Sequence, residues 1–242
     1  MTTEQNRSYD VLRPLALLAT GQTGADIERL VREVRRKTRR EKRNITWTDL
    51  EQALLAGQLR MSDDLRWRTS VHEAGHAIAF TLTGIAEVVT ATVGIEGVGQ
   101  VSSRPNDHLA QTESWMMNFI ACWLAGRTAE IIVFGEPAAG AGGSDGSDLA
   151  RATRHATAAE TRLGFSTHQP LVYHSERDSV SALSLNRDLT EQVNARLLAA
   201  EQSAREMLEA RRDELMAVAT QLNEVGVMTG NEVRMMLNVQ DG

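Results

Sequence analysis

A mostly helical fold with one small β-hairpin or sheet is predicted by three features of this sequence. Ala, Leu, Arg and Glu dominate and aromatic residues make up only 4%, a bias toward strong helix formers. Apolar residues recur at helical spacing through most of the chain. Strict apolar–polar alternation is confined to one stretch, around residues 87–103. At 242 residues, 42% of them hydrophobic and 24% charged, the chain can bury one large core or two modest ones. Its character changes near residues 59–64, which separates a small helical unit (1–60) from a larger one (61–242).

In the first unit, residues 11–18 read as a short apolar helix and Thr20-Gly21-Gln22-Thr23-Gly24 as a turn. Asp26 then opens a helix on which Ile27, Leu30, Val31 and Val34 keep helical spacing. A further helix starts at Thr48, with Glu51 three residues on as its capping box. The basic run 32–43 between them reads as a solvated helix end, where the helix dipole favours cations. In the second unit a helix runs from Trp67 to Leu82. Strands follow at 87–95 and 100–103, with Glu96-Gly97-Val98-Gly99 as their turn. Residues 108–133 form a long helix with Met116, Phe119, Ile120, Trp123 and Leu124 on its buried side. A glycine-rich loop (135–146) precedes a helix over 147–163. Residues 186–222 read as one long helix or a helix pair.

A net charge of −6 argues against wholesale nucleic-acid binding. A single cysteine, Cys122, rules out an internal disulfide and fits a reducing compartment. Its apolar surroundings make it a buried structural thiol. Residues 1–10 are polar and lack a secretory signal, and no apolar run looks long enough to span a bilayer. A cytoplasmic location is therefore expected.

His72-Glu73-Ala74-Gly75-His76 carries the chemistry. Residues four apart on a helix share a face, so both imidazoles can reach one Zn²⁺ at about 2.0–2.1 Å. Glu73 then approaches a metal-bound water, whose pKa zinc lowers toward about 7, rather than the metal. The flanking Val71, Ala77, Ile78, Ala79 and Phe80 suit a buried helix, and Gly75 allows close packing. Such a site needs a third protein ligand and one open position. Ala79 and Leu82 exclude the metzincin continuation, and Glu96 falls in the turn. Glu130, Asp145 and Asp148 remain. Asp148 opens a helix after the glycine loop, a position that suits a ligand and equally a plain N-cap. His155, seven residues after Asp148, is a candidate for orienting a ligand. His108, His168 and His174 have no partner spacing.

Taken in order, residues 71–80, Ala125-Gly126-Arg127-Thr128-Ala129-Glu130, Phe134-Gly135 and Ser147-Asp148-Leu149-Ala150-Arg151-Ala152-Thr153 resemble the FtsH-type proteases of peptidase family M41. Leu163-Gly164-Phe165-Ser166 and Pro170-Leu171-Val172-Tyr173 resemble that family's next stretch. Thr23-Gly24-Ala25-Asp26-Ile27 and the helix at 48–53 resemble the end of the AAA+ lid that precedes the peptidase. The likeness runs from about residue 11 to 237. It implies a helical M41 zinc-peptidase domain at 61–242 behind a lid-like remnant at 1–60. It also implies Asp148 as the third zinc ligand beside His72 and His76, Glu73 as the catalytic carboxylate, and a hexameric ring. The chain has no Gly-x-x-x-x-Gly-Lys-Ser/Thr phosphate loop, so an ATPase, if needed, is a separate partner. The loop at 140–146 lacks the lysine and the preceding strand. The chain is thus either a fragment or a peptidase without its motor, and Met1 ahead of polar residues fits a natural start.

The expected activity is zinc-dependent hydrolysis of unfolded or extended protein segments, with the substrate added as a strand beside residues 98–103. The alternative is an idle pseudo-protease acting as an adaptor or oligomerisation module, for which Glu73 has no use. A hydrolase of small or non-protein substrates and a nucleic-acid binder resting on 32–43 are more distant readings.

Overall fold

The structure, a computed structural model, describes residues 22–56, 61–95, 98–175 and 185–239, together with Leu12, Leu15, Ala16, Leu18, Ala19 and Leu183. Helix α1 (Gly24–Arg40) starts two residues before Asp26. Thr23 is its N-cap, and Asp26 closes a capping box with it. Helix α2 is Trp47–Ala56. Its box is not Thr48–Glu51 but lies two residues earlier: the Thr46 hydroxyl and N–H both bond Asp49. Arg43 decides between the two frames, because its guanidinium grips Asp49 and Glu41 together. The expected helix at 11–18 lies largely outside the described residues.

Helix α3, which carries His72 and His76, is Asp63–Thr83, four residues longer at its start than its apolar spacing suggests. Ser62 caps it by accepting the Leu65 N–H, and Asp63 and Asp64 fill a polar first turn that favours the dipole. It stops at Gly84, whose φ of 64° suits a left-handed cap. Strand β1 (Ala86–Ile95) pairs antiparallel with β2 (Val98–Pro105), Ala91 opposite Val101. The hairpin turn is therefore shorter than expected, since Val98 and Gly99 already belong to β2. Glu96 and Gly97 lie outside the described residues.

Helix α4 (Glu113–Phe134) begins at its Thr112 cap rather than at His108, and ends at Gly135. By length and composition alone α4 could cross a membrane, contrary to the expectation that no run was long enough. Its apolar character has another cause. Ile120, Ala121, Cys122 and Ala125 are fully buried in the core, where α4 packs on α3 and on the helices described next. Helix α5 (Asp148–Thr161) follows the glycine loop. The C-terminal stretch is a helix pair, α6 (Arg187–Glu209) and α7 (Arg212–Val225), broken at Ala210 and Arg211 without glycine or proline. Strand β3 (Val227–Thr229) then pairs with β1, giving the order β2-β1-β3, and α8 (Gly230–Met236) closes the chain. The fold is mostly α, as its composition predicts, and among the described residues β2 is an edge strand.

Two small-residue contacts bring α3 and α4 together. A Cβ on Gly75 would lie 2.5 Å from the Ala125 carbonyl oxygen and 2.7 Å from the Ala129 Cβ. The backbones cross that closely only because position 75 has no side chain. Cys122 sits in this interface, its Sγ 3.4 Å from the Thr83 hydroxyl. Burial pushes its thiol up to about 12. Since the thiolate is the reactive form, native protein should resist alkylation at about pH 8 and react fully once denatured; rapid native labelling, read by intact mass, would contradict this packing.

Candidate metal centre

The sequence places His72 and His76 one turn apart on α3, and the fold supplies what they face. His72 Nε2 and His76 Nε2 lie 3.1 Å apart, and each is 3.2 Å from Asp148 Oδ2 at the start of α5. A tetrahedral metal bound at about 2.0–2.1 Å sets neighbouring ligand atoms about 3.3–3.4 Å apart. The triangle has nearly that size. Among the described residues no other group of three His, Cys, Asp or Glu side chains converges in this way.

The far ring nitrogens fix which lone pairs point inward. His76 Nδ1 is 2.8 Å from the Cys122 carbonyl oxygen, which can only accept, so Nδ1 carries the proton. His72 Nδ1 is 2.7 Å from Glu130 Oε1. Both Nε2 atoms thus turn lone pairs toward a carboxylate oxygen, an arrangement that calls for a cation at its centre. Without a metal, a proton takes that place. Burial works against a charged His72, but hydrogen bonds to Asp148 and Glu130 outweigh it and raise its pKa to about 10. Burial likewise opposes ionisation of Asp148, yet its bonds to His72 and His76 hold it well below the usual carboxylate range.

Asp148 is not the helix cap. Ser147 takes that role by accepting the Ala150 N–H, which leaves the Asp148 carboxylate free to face the histidines. Glu130 is not in the triangle; it anchors His72 and is itself held by Arg68 and the Ala138 N–H. Asp145 is not in the triangle either. His155 stacks edge-on against Phe119, with ring centroids 4.8 Å apart, and makes no hydrogen bond to the triad among the described residues. The Cys122 carbonyl and Gly126 carry no sequence signal for a role here beyond the resemblance that includes Gly126.

Glu73 points away from its neighbours on α3 toward the sheet. Its carboxylate lies toward the Val101 backbone N–H of β2, which favours the charged form. A Cβ on Gly99 would fall 2.6 Å from Glu73 Oε1, so only glycine leaves this carboxylate its place. Burial raises the Glu73 pKa, against the pull of His76 and His72.

Gly126 on α4 forms the floor. A Cβ there would lie 2.5 Å from both His72 Nε2 and His76 Nε2. Gly126→Ala should therefore push the imidazoles out of register and weaken zinc binding at least tenfold, a loss of the size seen when a ligand's support is removed. Alanine is the better helix former, so a stability loss of about 1–3 kcal/mol would report overpacking. Unchanged metal affinity by competitive titration would overturn this account of the floor.

Residues 59–236 match the profile of peptidase family M41. The chain is similar to proteins named ATP-dependent zinc metalloprotease FtsH. One from Kosmotoga olearia is 32% identical over 90% of this chain and 37% of its own length. One from Caldicellulosiruptor bescii is 30% identical over 93% and 40%. FtsH 1 of Symbiobacterium thermophilum is 33% identical over 96% and 40%. The chain spans about two fifths of the length of these relatives. The matched span contains both histidines, Glu73 and Asp148 within one helical fold, and on that match the chain belongs to peptidase family M41.

Proposed function

We propose that this chain is a zinc-dependent endopeptidase acting on unfolded or extended protein segments. The observation that carries the reading is the convergence of His72 Nε2, His76 Nε2 and Asp148 Oδ2 at 3.1–3.2 Å with Glu73 beside them. His72, His76 and Asp148 would hold the zinc, which supplies Lewis-acid polarisation of a carbonyl and a lowered pKa for water. Glu73 takes the proton from the attacking water and returns it to the leaving amine. Glu130 and the Cys122 carbonyl keep the imidazoles oriented. Residues 1–60 form the lid-like remnant and 61–242 the peptidase domain in this reading. A hexameric ring, delivery of substrate by a separate AAA+ ATPase and a cytoplasmic location belong to the same proposal.

The substrate adds as a strand along β2. Among the described residues this strand has β1 on one side only, and its Val101 N–H lies toward Glu73. Alternation puts the Ser103 N–H on the same outer side. Ser103→Pro removes that donor without touching Glu73 and should raise KM several-fold with a smaller effect on kcat. An unchanged KM for an unfolded protein substrate would rule out the strand-addition mode.

The test of the function is casein cleavage by purified protein with zinc and without ATP, run beside a chelator control. Cleavage lost on chelation supports the peptidase. No cleavage, by protein shown to hold one zinc per chain and whether or not an AAA+ ATPase is added, would refute it and leave an adaptor.

A further inference from the structure

We propose that the arginine-rich face of α1 binds the phosphate backbone of nucleic acid, without base specificity. Residues 24–43 carry nine basic and four acidic side chains in a chain whose net charge is −6. At 3.6 residues per turn, Arg29, Arg32, Arg36 and Arg40 form one row along the helix, with Arg35 and Arg39 beside it. Val34 and Thr38, the buried residues of α1, lie on the opposite side. All six arginines are exposed. Asp26 and Glu28 pair with Arg29 and Arg32, whereas Arg35, Arg36, Arg39 and Arg40 have no ion-pair partner among the described residues.

A merely solvated helix face mixes its signs; on α1 Glu28 and Glu33 do so only in the first half, and every charged residue from Arg35 to Arg40 is a cation. Here Arg32–Arg36, Arg35–Arg39 and Arg36–Arg40 are like-charge neighbours four apart, which weaken a helix. The helix dipole rewards cations in the last turn only, so it accounts for Lys37, Arg39 and Arg40 but not for Arg32, Arg35 and Arg36. The cost is recovered when a polyanion occupies the face. Three features select nucleic acid over other polyanions. Arginine forks match phosphate bidentately. The rows repeat each turn over about 16 Å, which suits a regularly spaced anion better than one acidic patch. The apolar residues Ile27, Leu30 and Val34 lie away from this face, whereas a membrane-surface helix uses such residues for insertion.

The test is fluorescence anisotropy of the full chain with a labelled duplex DNA and a labelled single-stranded RNA across a salt series. Binding that weakens with salt, with a log–log slope of about −4 on duplex, is expected for engagement of four or more phosphates. Arg36→Glu/Arg39→Glu/Arg40→Glu should weaken it at least tenfold and flatten the slope by about 3. Circular dichroism would establish that the variant is folded. Lys37 and Lys42 are the only lysines in the sequence, so amine acetylation read by mass spectrometry should show both protected by oligonucleotide. Equal binding by the variant, absence of binding at low salt, or binding to phosphatidylglycerol vesicles or polyglutamate but not to oligonucleotide would overturn the proposal.

Discussion

Glu73→Gln should lower kcat for casein by about 10²–10⁴, the usual worth of a positioned proton-transfer group, while one zinc per chain remains bound. The expected separation follows from geometry. Glu73 is not one of the three converging groups; its carboxylate lies against Gly99 of β2, near the Val101 N–H. An amide has the same shape and fits the same place, but cannot take a proton from water. Binding of substrate along β2 should survive, so KM should change little. Activity above a tenth of wild type would remove Glu73 as the base. Loss of zinc along with activity would instead make it a ligand, against the arrangement of His72, His76 and Asp148.

The paired histidines were legible in the sequence because their relation is local: a spacing of four on an apolar helix determines a shared face. Asp148 was not legible in that way. It is 76 residues from His72 and 72 from His76, and only the packing of α5 against the rest of the core brings it near. Its place after the glycine loop suits a ligand and equally a plain N-cap, and the family resemblance favours the ligand. Glu130 is a carboxylate on the correct helix, yet its register on α4 aims it at the outer nitrogen of His72. The Cys122 contact uses a backbone carbonyl, about which side-chain identity says nothing. The same division holds in the fold. Long amphipathic helices were readable, but β3 has only three residues and gains its order by pairing with β1, Thr90 opposite Thr229. The α6–α7 break lacks any glycine or proline, so no residue type there signals it. The capping box at α2 was misplaced because Thr46–Asp49 and Thr48–Glu51 both fit the pattern, and the choice is made by Arg43.

Removal of zinc should lower the melting temperature, and the size of the effect should grow with pH. Any ligand bound only by the native state stabilises it, by about 4 kcal/mol at a thousandfold excess over Kd. For a chain of this size each kcal/mol moves Tm by about 2–4 °C, so a shift of roughly 8–16 °C is expected at that excess. The pH dependence differs between the two forms: above pH 6.5 the loaded form, with His72 deprotonated as it is in the unfolded chain, stays level, whereas the metal-free form loses stability. In metal-free protein His72 is raised from 6.5 to about 10 by Asp148 and Glu130, against the effect of burial. A raised histidine contributes stability that is full below its unfolded value and is lost as pH climbs through the folded one. The His72 contribution to the stability of the chelated protein should therefore diminish between about pH 6.5 and 10. Zinc competes with that same proton, so its affinity should rise by up to tenfold per pH unit over this window. His72→Gln should flatten both trends, because no ring proton remains to be displaced. Calorimetric scans of the loaded and chelated protein at several pH values read the widening gap between a level and a falling profile. Parallel Tm profiles would mean that zinc does not displace a proton from His72, and that His72 is not one of its ligands.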